Sequence, residues 1–371
     1  MTSSLTQPIG ENADAYTGLF VHDIPLIDVR APVEFKRGAF PMAQNLPLLD
    51  DLQREAVGIC YKHQGKQDAI KKGFELVQSE ARDARVSAWV EFANRHPNGA
   101  LYCFRGGLRS QIAQQWMHEA GTDFPVVQGG YKALRTFLLG AVETIPGQCT
   151  FTLVGGMTGS GKTALVSSLE HAVDLEAAAY HRGSSFGRHA KPQHTQIDFE
   201  NRLSIALLKL WHREIRAIVL EDESRTIGRA GLPKSLFEKM RSSPIVVIEE
   251  PFEARLQRLV DEYVVGMQAE FCAPGNGDDG FEGLSAYLLD ALERIRKRLG
   301  PARYPGIRAS LQKALARQAE GGEVQGHLDW LAGVLNHYYD PMYEDQLRQR
   351  KHLVCFQGDY AACRNYLLQT E

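Results

Sequence analysis

Phe151-Thr152-Leu153-Val154-Gly155-Gly156-Met157-Thr158-Gly159-Ser160-Gly161-Lys162-Thr163 is the stretch from which the fold is read. The apolar run 151–154 predicts a buried strand, and Gly156 to Thr163 match G-x-x-x-x-G-K-[ST]. A helix is expected from about Lys162. Strand, glycine turn and helix in that order are the setting in which such a loop grips phosphate. Glycines let backbone N–H groups turn inward around the oxygens, and the helix start adds its dipole. The expected phosphate-binding residues are Gly156, Gly159, Ser160, Gly161, Lys162 and Thr163. Lys162 places a point charge on the outer phosphates, and the Thr163 hydroxyl is a candidate Mg²⁺ ligand. The pattern recognises a diphosphate unit and does not show that a nucleoside is attached.

A second metal carboxylate is expected at a neighbouring strand end. Glu221-Asp222-Glu223 follows the apolar run Ala217 to Leu220, and Asp222 is the chosen ligand. Asp174 and Glu176 are alternatives, and a solvated acidic strand end is the plainer reading. Ile245-Val246-Val247-Ile248 predicts a further strand. Leu284, Leu288, Leu292, Ile295 and Leu299 share one helical face, so the region from about 284 to 340 is expected to be helical. Ala273 to Gly283, rich in glycine and aspartate, reads as a mobile loop.

Toward the N-terminus, Leu26-Ile27-Asp28-Val29-Arg30 predicts a buried strand broken by Ala31-Pro32. Helical spacing runs over 83–95, Ala100 to Cys103 is a strand, a helix follows over about 110–119, and Pro125-Val126-Val127 is another strand. Strands alternating with helices imply α/β domains with parallel sheets. A boundary at about 140–149, around Pro146-Gly147, divides the chain into domains 1–145 and 146–371. A length of 371 residues suits two domains. A net charge of −3 excludes a uniformly basic coat but not a local basic patch. No run approaches the ~20 apolar residues of a membrane helix. The start, Met1 to Tyr16, lacks a basic-then-apolar signal, so a cytoplasmic protein with no membrane partner is expected.

The six cysteines have no zinc spacing and read as free thiols. One differs from the rest. Cys103-Phe104-Arg105-Gly106-Gly107-Leu108-Arg109-Ser110 lies between a strand and a helix. Such a loop can curl its amides around one point, and Arg105, Arg109 and the helix start add positive potential. Those conditions make a thiol nucleophilic and hold an anion beside it. A second anion-binding turn is expected at Gly183 to Gly187, with His181, Arg182 and Ser184. Between Arg294 and Arg317 stand eight basic residues and no acidic one. Arg294, Arg296, Lys297, Arg298, Arg303 and Arg308 are the expected nucleic-acid contacts, with Tyr304 a candidate for base stacking. A solvated helix face is the plainer reading.

Leu26-Ile27-Asp28-Val29-Arg30-Ala31-Pro32-Val33-Glu34-Phe35, with Gly38 and then Cys103 to Ser110, resembles a rhodanese domain. Its fusion to a phosphate-loop domain resembles the tRNA 2-selenouridine synthase family. So do Tyr102 to Ser110, His181 to Gly187, Glu221 to Arg225, and Tyr338-Tyr339-Asp340-Pro341-Met342-Tyr343. The likeness spans nearly the whole chain. It implies a rhodanese-like parallel sheet with flanking helices, then a P-loop NTPase-like α/β domain with a helical C-terminal region. It also implies two steps on a tRNA carrying 2-thiouridine at the wobble position. Geranyl diphosphate alkylates the sulfur, then selenium from selenophosphate replaces the geranylated sulfur. Cys103 is the implied selenium carrier, as a selenosulfide anion, and Arg105 and Arg109 the holders of the selenophosphate oxyanions. Lys162 and Mg²⁺ would stabilise departing diphosphate, and a selenophosphate-supplying enzyme is an implied partner. Two enzyme readings compete. The C-x5-R spacing from Cys103 to Arg109 also suits a rhodanese-fold phosphatase, and the phosphate loop suits an ATP-dependent tRNA sulfurtransferase. In a non-enzymatic reading, both loops only bind.

Overall fold

The computed structural model describes residues 13–273 and 280–369. The chain forms two compact units. One comprises 1–145 with 195–213, the other 146–194 with 214–371.

In the first unit, β1 (Leu26–Asp28), β2 (Ala43–Asn45) and β3 (Ala100–Tyr102) form a parallel sheet in the order β2-β1-β3. The run expected to be a strand at 125–127 contributes only a parallel bridge between Leu101 and Val126. β1 ends at Asp28, whose carboxylate is turned onto Arg30. Arg30 donates to Asp28 through its backbone N, Nε and Nη2 at 2.6–3.0 Å, and its guanidinium lies 3.7 Å from the centre of the Tyr131 ring. Both are buried, so the pair is satisfied as an internal clamp.

The helix Gln196–His212 belongs to this unit, although the sequence boundary leaves it with the phosphate-loop region. Thr195 and Asp198 cap each other at its start. Asp198 then accepts from the Ala39 amide at 2.8 Å, and Asn201 donates to the Ala39 carbonyl at 2.7 Å. Hydrophobic periodicity shows that such a helix has a buried face, not which neighbour it is buried against.

The second unit is built on a five-stranded, fully parallel sheet: β4 (Thr150–Gly156), β5 (Ala172–Val173), β6 (Ala217–Glu221), β9 (Ile245–Ile248) and β10 (Val354–Gly358), in the order β10-β9-β4-β6-β5. β7 (Thr226–Ile227) and β8 (Ala230–Gly231) are a small antiparallel pair. β4 is central, so the glycine turn leaves the carboxyl edge of the sheet between β9 and β6, where open α/β sheets bind ligands. Register pairs Val154 with Glu221 and brings the acidic triplet beside that turn. The C-terminal region is helical. Gly280–Arg294 buries Leu284, Leu288 and Leu292, and Ile295 and Leu299 join the same core. The expected loop over 273–283 therefore ends where this helix starts, and residues 274–279 lie outside the described residues. Among the described residues no helix is long and apolar enough to cross a membrane.

Candidate active site

The glycine turn has the backbone its sequence requires. Gly159 has φ +79°, and a Cβ there would lie 2.8 Å from the Arg255 carbonyl; at Gly156 it would lie 2.6 Å from the Ser160 Oγ. Gly161, also left-handed, precedes the short helix Lys162–Ser167. Lys162 Nζ donates to the carbonyls of Gly156 at 2.8 Å and Met157 at 3.3 Å, so the loop itself holds the ammonium. Ser160 Oγ is buried with no partner. Arg255 braces the turn from behind. It donates to the Thr158 carbonyl at 3.2 Å and to both Asp340 oxygens at 2.8 and 2.7 Å. Arg258 donates to the Gly159 carbonyl.

A cavity of about 230 Å³ opens over this turn. Lys162, Thr163, Glu176, Arg182, Ser184, Glu223, Glu262 and Tyr343 are among its walls. The turn 181–187 closes one side. Its Gly183 is left-handed, and an added Cβ would collide with Glu176 Oε1 and come within 2.8 Å of Glu223 Oε1. Phe186 anchors the turn in the helical core against Trp330 and Tyr263. Ser184 Oγ accepts from the Tyr263 hydroxyl at 2.8 Å. Arg182 is paired with Glu270 at 2.8 Å while lining the cavity. His181 is buried with Nδ1 unpartnered and lies behind the cavity wall, not in it; burial and the surrounding cationic side chains push its pKa down to about 4, which keeps the ring neutral.

Asp222 does not take the metal-facing place expected for it. Arg350 holds it through both carboxylate oxygens, and it lines a separate cavity of about 210 Å³. The side chain that follows it, Glu223, enters the phosphate cavity instead. Thr163 Oγ1 donates to Glu176 Oε2 at 2.8 Å, so of the two alternatives after β5 it is Glu176 that stands beside the threonine; Asp174 caps the helix that carries Glu176. Glu221 is buried, and its Oε1 has no partner.

Burial and mutual repulsion raise these acids. Glu176 and Glu223 are pushed up to about 8, chiefly by desolvation, then by the charge of Glu223 on the first and Glu221 on the second. Glu221 is raised well above the carboxylate range by burial and then by Glu176. No three metal-binding side chains converge into a cage among the described residues. A Mg²⁺ ion does not need one, because it takes one or two carboxylates with phosphate oxygens and water. The Thr163 hydroxyl and two cavity-lining acids kept from ionising, Glu176 and Glu223, form a donor set that fits a small divalent cation.

The Cys103 thiol lies at the floor of its loop, not at the rim. It is 3% exposed, with Sγ 3.3 Å from Ser110 Oγ and 3.9 Å from the Gly107 carbonyl. The loop is pinned by Tyr131 and Lys132, whose amides donate to the Cys103 and Phe104 carbonyls at 2.9 Å. Arg109 is not available as expected to an oxyanion, because Glu34 takes it at 2.6 and 3.2 Å. Arg105 is exposed and lines an open depression with Lys132. The basic residues from 294 to 308 are all exposed. Arg294 is tied to Asp290 and the Ser185 carbonyl, Arg296 to Glu293, and Arg298 to the Tyr338 hydroxyl. Tyr304 is buried, with its hydroxyl on Glu293, so it is not available to stack a base.

The domain family described as the tRNA 2-selenouridine synthase AAA domain matches residues 149–371. A curated tRNA 2-selenouridine synthase from Pseudomonas fluorescens is 49% identical over 95% of this chain and 97% of its own length. Another, from Verminephrobacter eiseniae, is 49% identical over 94% of this chain and 96% of its own, and one from Pseudomonas aeruginosa is 48% identical over 97% and 98%. The chain belongs to the tRNA 2-selenouridine synthase family. As a tRNA 2-selenouridine synthase family member it is an enzyme, and the phosphate loop with its acids lies inside the matched AAA domain.

In this family member the raised acids set a pH dependence. Between the ordinary value of 4.5 and about 8, folded Glu176 and Glu223 hold protons that the unfolded chain has released. Stability therefore falls as pH rises through that window and levels off above it. In EDTA, the calorimetric unfolding midpoint should fall from pH 5 to pH 8. Glu176→Gln should make the fall shallower, and Mg²⁺ should offset it. A midpoint that does not fall across this range would contradict the assignment.

Proposed function

We propose that the chain converts 2-thiouridine at a tRNA wobble position into 2-selenouridine in two steps, with geranyl diphosphate and selenophosphate as co-substrates. The observation that carries the reading is the phosphate cavity: Lys162, the glycine turn and the acids Glu176 and Glu223 line one pocket of a size and charge that suit a departing diphosphate.

In the first step the wobble sulfur forms a bond to the allylic carbon of the geranyl chain, and the carbon–oxygen bond to diphosphate breaks. Lys162 swings from the loop carbonyls to the departing oxygens, the loop amides hold them, and N3 of the base gives its proton to water. Thr163 with Glu176 and Glu223 would hold a Mg²⁺, which supplies Lewis-acid stabilisation of the diphosphate.

The second step has to balance electrons. Selenium in selenophosphate is already at the selenide level. Attack by the Cys103 sulfur on selenium would expel phosphite and leave a selenosulfide that needs a reductant. The balanced route keeps selenium as selenide: it bonds to C2 of the base, the C2–sulfur bond breaks to release geranyl thiol, and water cleaves the phosphorus–selenium bond to phosphate. Here Arg105 and the loop amides hold the selenophosphate oxygens, Arg109 fixes the helix start through Glu34, and the Cys103 thiol donates the proton taken by the departing sulfur. A first unit of rhodanese type is part of this proposal, and the pinned thiol loop after β3 supports it. Localisation in the cytoplasm is part of it too.

Mass spectrometry of wobble nucleosides tests the reading. The enzyme, thiolated tRNA and both co-substrates should give geranylated and then selenated nucleoside without ATP. Dependence on ATP, or phosphate release from p-nitrophenyl phosphate instead, would select a competing enzyme. The exposed basic helix face supplies RNA phosphate contacts in this reading. Replacing both Arg303 and Arg308 by Ala should lower the log–log salt slope of tRNA binding by about 2. An unchanged slope places the RNA elsewhere.

A further inference from the structure

The walls of the phosphate cavity are largely charged or polar, so a ten-carbon chain finds little apolar counterpart there. The first unit holds the opposite kind of site. The helices Asp51–Gln64 and Lys66–Leu76 form a hairpin beside the helix Leu108–Glu119, and between them lies an almost entirely apolar groove of about 270 Å³. Val57, Ile70, Phe74, Leu108, Ile112 and Trp116 line it. Phe74 and Leu108 are each 44% exposed and Tyr61 60%, which for large apolar side chains gathered in one groove marks a binding surface.

Three observations say what covers it. First, the groove is continuous with the thiol loop: Leu108 and Arg109 belong to both, and Cys103 shares a core with Leu48, Leu49 and Trp116. Second, its size suits the chain: a cavity of roughly 150 Å³ holds the six carbons of benzene, and this one is about 270 Å³. Third, Lys66 stands in an otherwise apolar lining whose other cation, Arg109, is held by Glu34, so the rim offers one ammonium to a ligand that is greasy at one end and anionic at the other.

We propose that this groove seats the geranyl chain of the S-geranylated wobble nucleoside while its sulfur is replaced, so that the C2–sulfur bond lies over the thiol loop. The inference rests on the two-step reading above and adds a second-step subsite for the isoprenoid. It makes the chain a handle: the alkyl group is both what turns sulfur into a leaving group and what delivers the nucleoside to the selenium site.

The test uses the full-length enzyme and RNAs bearing S-geranyl- or S-methyl-2-thiouridine. Unsubstituted enzyme should favour the geranyl RNA by at least tenfold in kcat/KM for selenation. Phe74→Glu and Ile70→Glu should each raise KM for the geranyl RNA about tenfold or more, remove most of the preference, and leave geranyl transfer from geranyl diphosphate unchanged. A benzophenone-bearing prenyl thioether RNA should crosslink within residues 57–74 or 108–116. Retention of the chain-length preference by both variants, or crosslinks confined to residues 156–184, would overturn the groove assignment. Those outcomes leave the two-step reading intact as long as unsubstituted enzyme selenates geranylated RNA. If it does not, that reading fails and the groove assignment with it.

Discussion

Lys162→Ala should lower geranyl transfer at least a hundredfold and, with it, all selenouridine made from thiolated tRNA. The ammonium is already poised. It sits on the Gly156 and Met157 carbonyls, 5.1 Å from the centre of the Tyr343 ring, in a cavity that also holds Glu176, Glu223 and Glu262. Removing a charged donor that reaches the site where negative charge develops costs on the order of 10²–10³ in rate. The turn should survive the change, since its shape depends on left-handed glycines and on Arg255 and Arg258. Wobble-nucleoside mass spectrometry with thiolated tRNA checks the prediction; near-normal geranylation would remove the phosphate loop from the first step.

Cys103→Ser should block selenium incorporation by a similar factor and spare geranylation, so geranylated nucleoside accumulates. Serine keeps the size and the contact with Ser110 Oγ, now at a floor position where a hydroxyl is a poorer proton donor to a departing sulfur than a thiol. Since the side chain is nearly sealed, a change of fold would show at once as a lower unfolding midpoint. Loss of geranyl transfer in a folded Cys103→Ser protein would mean that the two loops do not divide the chemistry as described.

What could be read ahead of the structure was whatever is local in sequence. The turn from Gly156 to Thr163 carries its own conformational code, and the runs at 26–28, 100–102, 217–221 and 245–248 are strands because each is a short apolar stretch in a buried parallel sheet. What could not be read was pairing across long separations. Asp222 and Glu223 are neighbours of like chemistry, and only Arg350, 128 residues away, decides which one is taken out of the cavity. Arg109 looks like an anion holder until Glu34, 75 residues earlier, is placed against it. Tyr304 sits in a basic run and still faces the core, because the chain bends at Gly300, with φ +77°, before Pro301. Arg255 and Arg258 carry no motif at all; the amphipathic helix that presents them was the only trace of a buried side. The quoted segment 338–343 did contain a signal: its Asp340 holds Arg255, and its Tyr343 walls the cavity.

The most direct test of the division of labour gives the Lys162→Ala enzyme an RNA already carrying S-geranyl-2-thiouridine, together with selenophosphate, and follows the nucleoside by mass spectrometry. The account predicts selenouridine at close to the unsubstituted rate, although the same variant makes none from plain thiolated RNA. Failure of the folded variant to selenate the preformed intermediate would contradict it.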